Sequence, residues 1–276
     1  MLKLRDVLST LQQVQGFKDA KVSLEQYPTP ADIASHMCYL IQQRYRDLEN
    51  KSVVDLGCGT GMLSVGAMVC GASHVTAIEM DPEAIEIALN NFQKLELANE
   101  IDVIQCNVCD FIPGLSQYIK KNSLKDSSDK HLSNKQKKAQ RQKQKQKMKI
   151  CGEKNSGNEA FTIDINAKQL LELQCTPDKF KHKWCDVLLM NPPFGTKNNK
   201  HIDLIFLKVA LSMTRNVIYS LHKTSTRTHL LNTLQNVWKV KKVEVIAQLK
   251  FDIPNMYKFH KTDSKDIHVD IFRIEC

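Results

Sequence analysis

Residues 53–64 read VVDLGCGTGMLS. A β-branched run ends on Asp55 and Leu56, and three glycines follow at alternate positions, Gly57, Gly59 and Gly61. A strand entering such a turn lets backbone approach a ligand closely, because no Cβ intervenes, and the helix that follows aims its unpaired N–H groups at the same place. The spacing G-x-G-x-G differs from the G-x-G-x-x-G of dinucleotide sites. Glu79 closes the next β-branched run, HVTAIE, where a carboxylate can accept both hydroxyls of a ribose. Strand, glycine turn, helix, strand, acid: this order predicts a doubly wound α/β fold with its ligand at the carboxyl edge of the sheet.

Outward from that unit the alternation continues. Short apolar runs at 52–56, 74–79, 101–105, 185–190, 216–221, 243–249 and 267–274 predict seven strands. Helical stretches fall at 30–45, 62–70, 83–97, 203–214 and 226–237, with Asp81-Pro82 as a cap and first-turn proline. Such βα alternation implies a mostly parallel sheet covered on both faces. No helix separates the last two strands, which predicts an antiparallel pair closing the sheet. The expectation is one domain over 1–276, interrupted by an insertion at 113–183.

The net charge of +9 concentrates in that insertion. Residues 120–183 carry 17 Lys/Arg against 7 Asp/Glu, and the rest of the chain is nearly neutral. Lys135 to Lys149 hold eight basic and no acidic side chains, too few apolar groups to offset ordering entropy, so disorder is expected there. The run is read either as a solvated insertion or as a phosphate-binding or nuclear-targeting arm. Nine cysteines, an odd number, several inside apolar runs, suit reduced buried thiols. The C-x-x-C of Cys106 and Cys109 has no second pair at zinc-ribbon spacing and is read as core thiols, with no metal site. No apolar run is long enough to span a membrane, and the expected address is intracellular, in nucleus, nucleolus and cytoplasm.

The stretch LLMNPPFGTKNNK, residues 188–200, carries the chemistry. It ends a strand, so Asn191, Pro192, Pro193 and Phe194 belong at the same sheet edge as the glycine turn. An aromatic amine such as adenine's is a poor nucleophile, because its lone pair is delocalised into the ring. The Asn191 side-chain oxygen and the Pro192 carbonyl can accept its two hydrogens and aim the lone pair at an electrophile, without a strong base. Phe194 would stack on the extruded base. In EQYPTP, residues 25–30, Gln26 and Thr29 are expected to close over the donor, with Thr29 capping the helix at 30–45. Asn107, after the third strand, can accept from a donor's adenine amino group.

The motifs EQYPT, DLGCG, NPPFGTKNNK, YSLHK and YKFHK together resemble the methyltransferase-like protein 5 family, which forms N(6)-methyladenosine in small-subunit (18S) ribosomal RNA. The resemblance spans nearly the whole chain outside the insertion. It implies a Rossmann-like class I S-adenosyl-L-methionine (SAM) methyltransferase fold, a donor site at Gln26, Thr29, Gly57, Thr60, Met62, Glu79, Asn107 and Val108, and the catalytic tetrapeptide Asn191 to Phe194. Asp55 and Gly59 join the donor set from the reading of the turn. Thr60 stands where the family's turn carries a second cysteine, Glu79 lengthens an aspartate, and Asn107 replaces an acid. A zinc-containing activator of the Trm112 type is an implied partner, with the third-strand edge at 101–106 as its expected seat. Lys197, Lys200, His222, Lys223, Lys258, His260 and Lys261 are the candidates for ribosomal RNA contacts along the active rim. Three other readings stay open at this point: a DNA adenine acceptor, a protein glutamine amide, and a non-catalytic SAM-binding RNA scaffold.

Overall fold

The computed structural model describes residues 2–112, 115, 119–121, 161–163, 170, 183–195, 199–253 and 265–276. The described strands are β1 (Ser52–Leu56), β2 (His74–Glu79), β3 (Ile101–Gln105), β4 (Ile119–Lys121), β5 (Phe161–Ile163), β6 (Cys185–Met190), β7 (Thr214–Lys223), β8 (Lys242–Ile253) and β9 (Lys265–Glu275). Seven of them form one sheet in the order β3-β2-β1-β6-β7-β9-β8. Every pairing from β3 through β7 is parallel, and β9 runs antiparallel to both β7 and β8. Six strands therefore share a direction, and the last strand of the chain runs against them.

Burial alternates along the central strands. Val53, Val187 and Leu189 face one apolar cluster, while Val54, Leu56, Leu188 and Met190 face the other. A strand covered on both faces needs apolar residues at successive positions, which is why β1 and β6 read as continuous runs. The first cluster is closed by α1 (Leu4–Leu11), α2 (Ala31–Leu40), α3 (Met62–Val69) and α4 (Pro82–Lys94), the second by α5 (Ile202–Met213) and α6 (Arg227–Asn232). Helix α1 has no counterpart among the expected elements. Eight residues are too few for a stable isolated helix, and α1 exists because Val7 and Leu11 are fully buried against the body.

Asp81 caps α4 as expected, accepting from the Glu83 N–H at 3.3 Å with Pro82 in the first turn. The N-terminus of α2 differs from expectation. Pro30 is its N-cap and no side chain caps it, because the Thr29 hydroxyl is engaged across the sheet edge instead. Strands β7, β8 and β9 run past their expected ends, since ladder pairing continues through polar pairs such as His222 with Asp270 and Lys250 with His268.

Within the 113–183 span, β4 and β5 pair as an antiparallel ribbon, and Leu115 and Leu170 are buried in the second cluster. The lysine run 135–149 lies outside the described residues. Among the described residues no helix is long and apolar enough to cross a membrane.

Candidate active site

The chain leaves β1 toward β2 and leaves β6 toward β7, so the sheet opens a crevice where the two neighbouring strands part. Asp55 pairs with Leu189, which brings Asn191 out of β6 level with Gly57. One cleft fills this position. Gln26, Thr29, Asp55, Gly57, Gly59, Thr60, Met62, Glu79, Asn107 and Val108 all line it, and Asn191 and Pro193 reach it from the β6 side. Pro192 is buried behind them and Phe194 is half-buried at the rim.

The glycine turn is tied to the end of β2. The Gly57 and Cys58 N–H groups donate to the Ile78 carbonyl at 2.8 and 3.0 Å, and the Gly59 N–H donates to Glu79 Oε2 at 2.9 Å. Gly59 has φ +55°, and a Cβ there would lie 2.9 Å from the Phe17 ring, so both backbone and space require glycine. Thr60 is buried, and its carbonyl accepts from Asn91 Nδ2 at 2.9 Å.

Glu79 Oε1 also accepts from the N–H groups of Met80 and Asp81, at 2.8 and 2.9 Å. A carboxylate offers about four acceptor positions, and three of those on Glu79 are taken by backbone donors. Burial pushes its carboxyl up, opposed by those backbone donors. Asp55 is buried, with Oδ2 accepting from Ser64 Oγ at 2.6 Å and Oδ1 without a hydrogen-bond partner. Burial raises its pKa to about 7.

Two expected donor contacts have other partners. Asn107 Oδ1 accepts from the Cys109 N–H at 2.9 Å and caps the 3-10 turn Val108–Phe111, a local bond that competes with any adenine amino group. Gln26 Oε1 accepts from the Lys21 N–H at 2.8 Å and its Nε2 donates to Asp81 Oδ2 at 2.6 Å. Gln26 thus ties the N-terminal segment to the start of α4, helped by Lys21 Nζ at 2.7 Å from Asp81 Oδ1.

On the acceptor side, Asn191 Nδ2 donates to Thr29 Oγ1 at 2.9 Å, which leaves the amide oxygen as that side chain's acceptor. Sequence reasoning missed Phe17 and Asn199. Asn199 is buried and donates to the Ser23 carbonyl at 3.1 Å and to Glu25 Oε1 at 3.3 Å, pinning the loop after the tetrapeptide to the N-terminal segment. Nothing in TKNNK distinguishes it from its neighbour.

Of the expected RNA contacts, Lys200 is exposed, and Lys223 Nζ lies 5.3 Å from the Phe194 ring centroid. His222 is a correction: it is buried, its Nε2 is 2.7 Å from Ser220 Oγ, and Phe272 packs against it edge-on. Burial drives its pKa down to about 3, so it offers no cation to RNA. Lys197, Lys258, His260 and Lys261 lie outside the described residues. Cys109 is buried with its thiol pushed up to about 12, and among the described residues no three His, Cys, Asp or Glu gather as for a metal ion.

The family model of ribosomal protein L11 methyltransferase (PrmA) matches residues 34–112, the glycine-turn half of the fold. The rRNA N(6)-adenosine-methyltransferase METTL5 of Danio rerio is 39% identical over 272 residues, covering 99% of this chain and 98% of that protein. The chain belongs to the METTL5 family of rRNA N(6)-adenosine-methyltransferases. The Drosophila melanogaster member of the METTL5 family is 34% identical over 274 residues, 99% of this chain and 97% of its own. Among solved structures, PH1948 of Pyrococcus horikoshii superposes with a TM-score of 0.63 at 26% identity, covering 100% of this chain and 96% of its own. The fold is that of class I SAM-dependent methyltransferases.

The METTL5-family cleft fits SAM on its own geometry. The partnerless Asp55 oxygen is an acceptor suited to the donor's ammonium group, and the remaining position on Glu79 suits a ribose hydroxyl. Met62, Ile78 and Val108 give an adenine ring an apolar bed.

Proposed function

We propose that this enzyme transfers a methyl group from SAM to the N6 atom of an adenosine in small-subunit (18S) ribosomal RNA. The observation that carries the proposal is the Asn191 amide, held by Thr29 at the mouth of the donor cleft. Bound in the cleft, SAM supplies an electrophilic methyl group on a sulfonium. The chain's own residues do the rest by position. Asn191 Oδ1 and the Pro192 carbonyl accept the two amino hydrogens, so the nitrogen pyramidalises and its lone pair turns toward the methyl group. As the new N–C bond forms and the sulfonium S–C bond breaks, leaving its electron pair on sulfur, the same two acceptors stabilise the positive charge on nitrogen until a proton leaves to solvent. Phe194 stacks on the extruded base and keeps its ring in register with the two acceptors.

A Trm112-type activator is proposed to add along β3. That strand is an outer strand of the sheet, with Asp102 and Gln105 exposed and Ile104 37% exposed, which supports strand addition there. An address in nucleus, nucleolus and cytoplasm is proposed with the substrate.

The test incubates the chain, with and without a Trm112-type activator, with radiolabelled SAM and ribosomal RNA lacking the mark, using Asn191→Ala as control. Label recovered as N(6)-methyladenosine at one 18S position, and only with the wild-type chain, is the expected result. Label in large-subunit RNA or in protein, with none in 18S RNA, would overturn the assignment.

A further inference from the structure

Phe194 and Lys223 leave the sheet side by side. Met190 pairs with Ser220, so the turn after β6 and the end of β7 project from the same edge, and Lys223 Nζ sits 5.3 Å from the Phe194 ring centroid. Lys223 is half-buried. Among the described residues no carboxylate lies within ion-pair distance of it. The acids beside His222, its neighbour in the strand, are engaged elsewhere: Asp270 accepts from Arg227 at 2.6 and 2.7 Å and from Thr224 at 2.8 Å, and Asp203 stands 3.9 Å from His222. A half-buried ammonium gains less from a ring face than from an anion in hydrogen-bond contact.

We propose that Phe194 and Lys223 form a clamp for one nucleotide, in which the ring stacks the target base and the ammonium takes a non-bridging oxygen of that nucleotide's own phosphate. A base rotated out about its backbone keeps its phosphate within reach of a side chain beside the pocket mouth. This inference rests on the nucleotide-acceptor reading above and deepens it, because it makes the phosphate part of what the site recognises. The clamp favours a nucleic-acid acceptor over a protein amide, which presents the same nitrogen chemistry without an anion.

The experiment uses the full chain and a short RNA substrate carrying the target adenosine, with a neutral methylphosphonate replacing one phosphate at a time. With the wild-type chain, neutralising a phosphate of the target nucleotide should raise KM about tenfold, and the same change two nucleotides away should do little. Lys223→Gln on unmodified RNA should show the same loss, Lys223→Arg should recover most of it, and Lys223→Gln with the neutral linkage should lose nothing further. Losses that multiply when the two changes are combined, or a wild-type chain indifferent to the linkage, would sink the clamp even if the variant were too unstable to assay. Methylation of unmodified RNA by the wild-type chain is the control for the nucleotide reading itself, so its absence would be a failure of that reading and not of the clamp.

Discussion

Asn191 Nδ2 donates to Thr29 Oγ1 at 2.9 Å, although the two residues are 162 positions apart in the chain. The bond joins the donor side of the cleft to the acceptor side. It leaves the amide oxygen for the substrate, whereas a flipped Asn191 would offer a donor where adenine's amino group also donates.

Thr29→Val should therefore lower the single-turnover rate by about tenfold, the worth of one orienting hydrogen bond of about 1.4 kcal/mol, while Thr29→Ser keeps most of the rate. Weakened SAM affinity with an unchanged single-turnover rate would reduce Thr29 to a wall of the donor cleft.

Replacing Phe194 by Ala should cost roughly 10- to 100-fold in kcat/KM for RNA, from about 1–3 kcal/mol of base stacking. Phe194→Tyr and Phe194→Trp should retain most of the activity. Isothermal calorimetry with SAM provides the check: the donor constant should stay near wild type in all three, because Phe194 lies outside the cleft lining.

Gly61 has φ +90°, and a Cβ there would be driven into the Phe92 ring. Gly61→Ala should destabilise the fold by about 1–3 kcal/mol, read as a lower urea midpoint. A midpoint equal to wild type would mean that the turn relaxes without the glycine.

Asp55 makes stability depend on pH in a stated direction. Its folded pKa, about 7, lies above the ordinary carboxylate value near 4, so the folded chain holds this proton more tightly than the unfolded chain. That contribution is fully present below pH 4 and is lost as pH rises through 7. Without SAM, the melting temperature of Asp55→Asn relative to wild type should therefore climb between pH 4 and 8. A flat difference across that range would show that the carboxyl is not desolvated. SAM should narrow the difference above pH 7 by giving the ionised Asp55 a cationic partner.

The architecture was legible from the sequence because it rests on periods. β1, β2, β3 and β6 have the bounds that their apolar runs predict, as a strand buried on both faces must be apolar at successive positions. The antiparallel closing pair was legible from the missing helix between its strands. Helix α1 was not, because eight residues become a helix only when Val7 and Leu11 find the body they bury against.

The site divides along the same line. Sequence alone determined that Gly57, Gly59, Glu79 and Asn191 belong to one sheet edge, because each follows a strand and strands of a parallel sheet end together. Only the tertiary structure decided what each polar group bonds to. Thr29 orients Asn191 instead of capping α2, Gln26 holds Asp81, Asn107 caps its own turn, and His222 lies in the core. Hydrogen bonds are short and directional, so their partners depend on ångström-scale packing of segments far apart in the chain, whereas burial of a periodic apolar face depends on residue type alone.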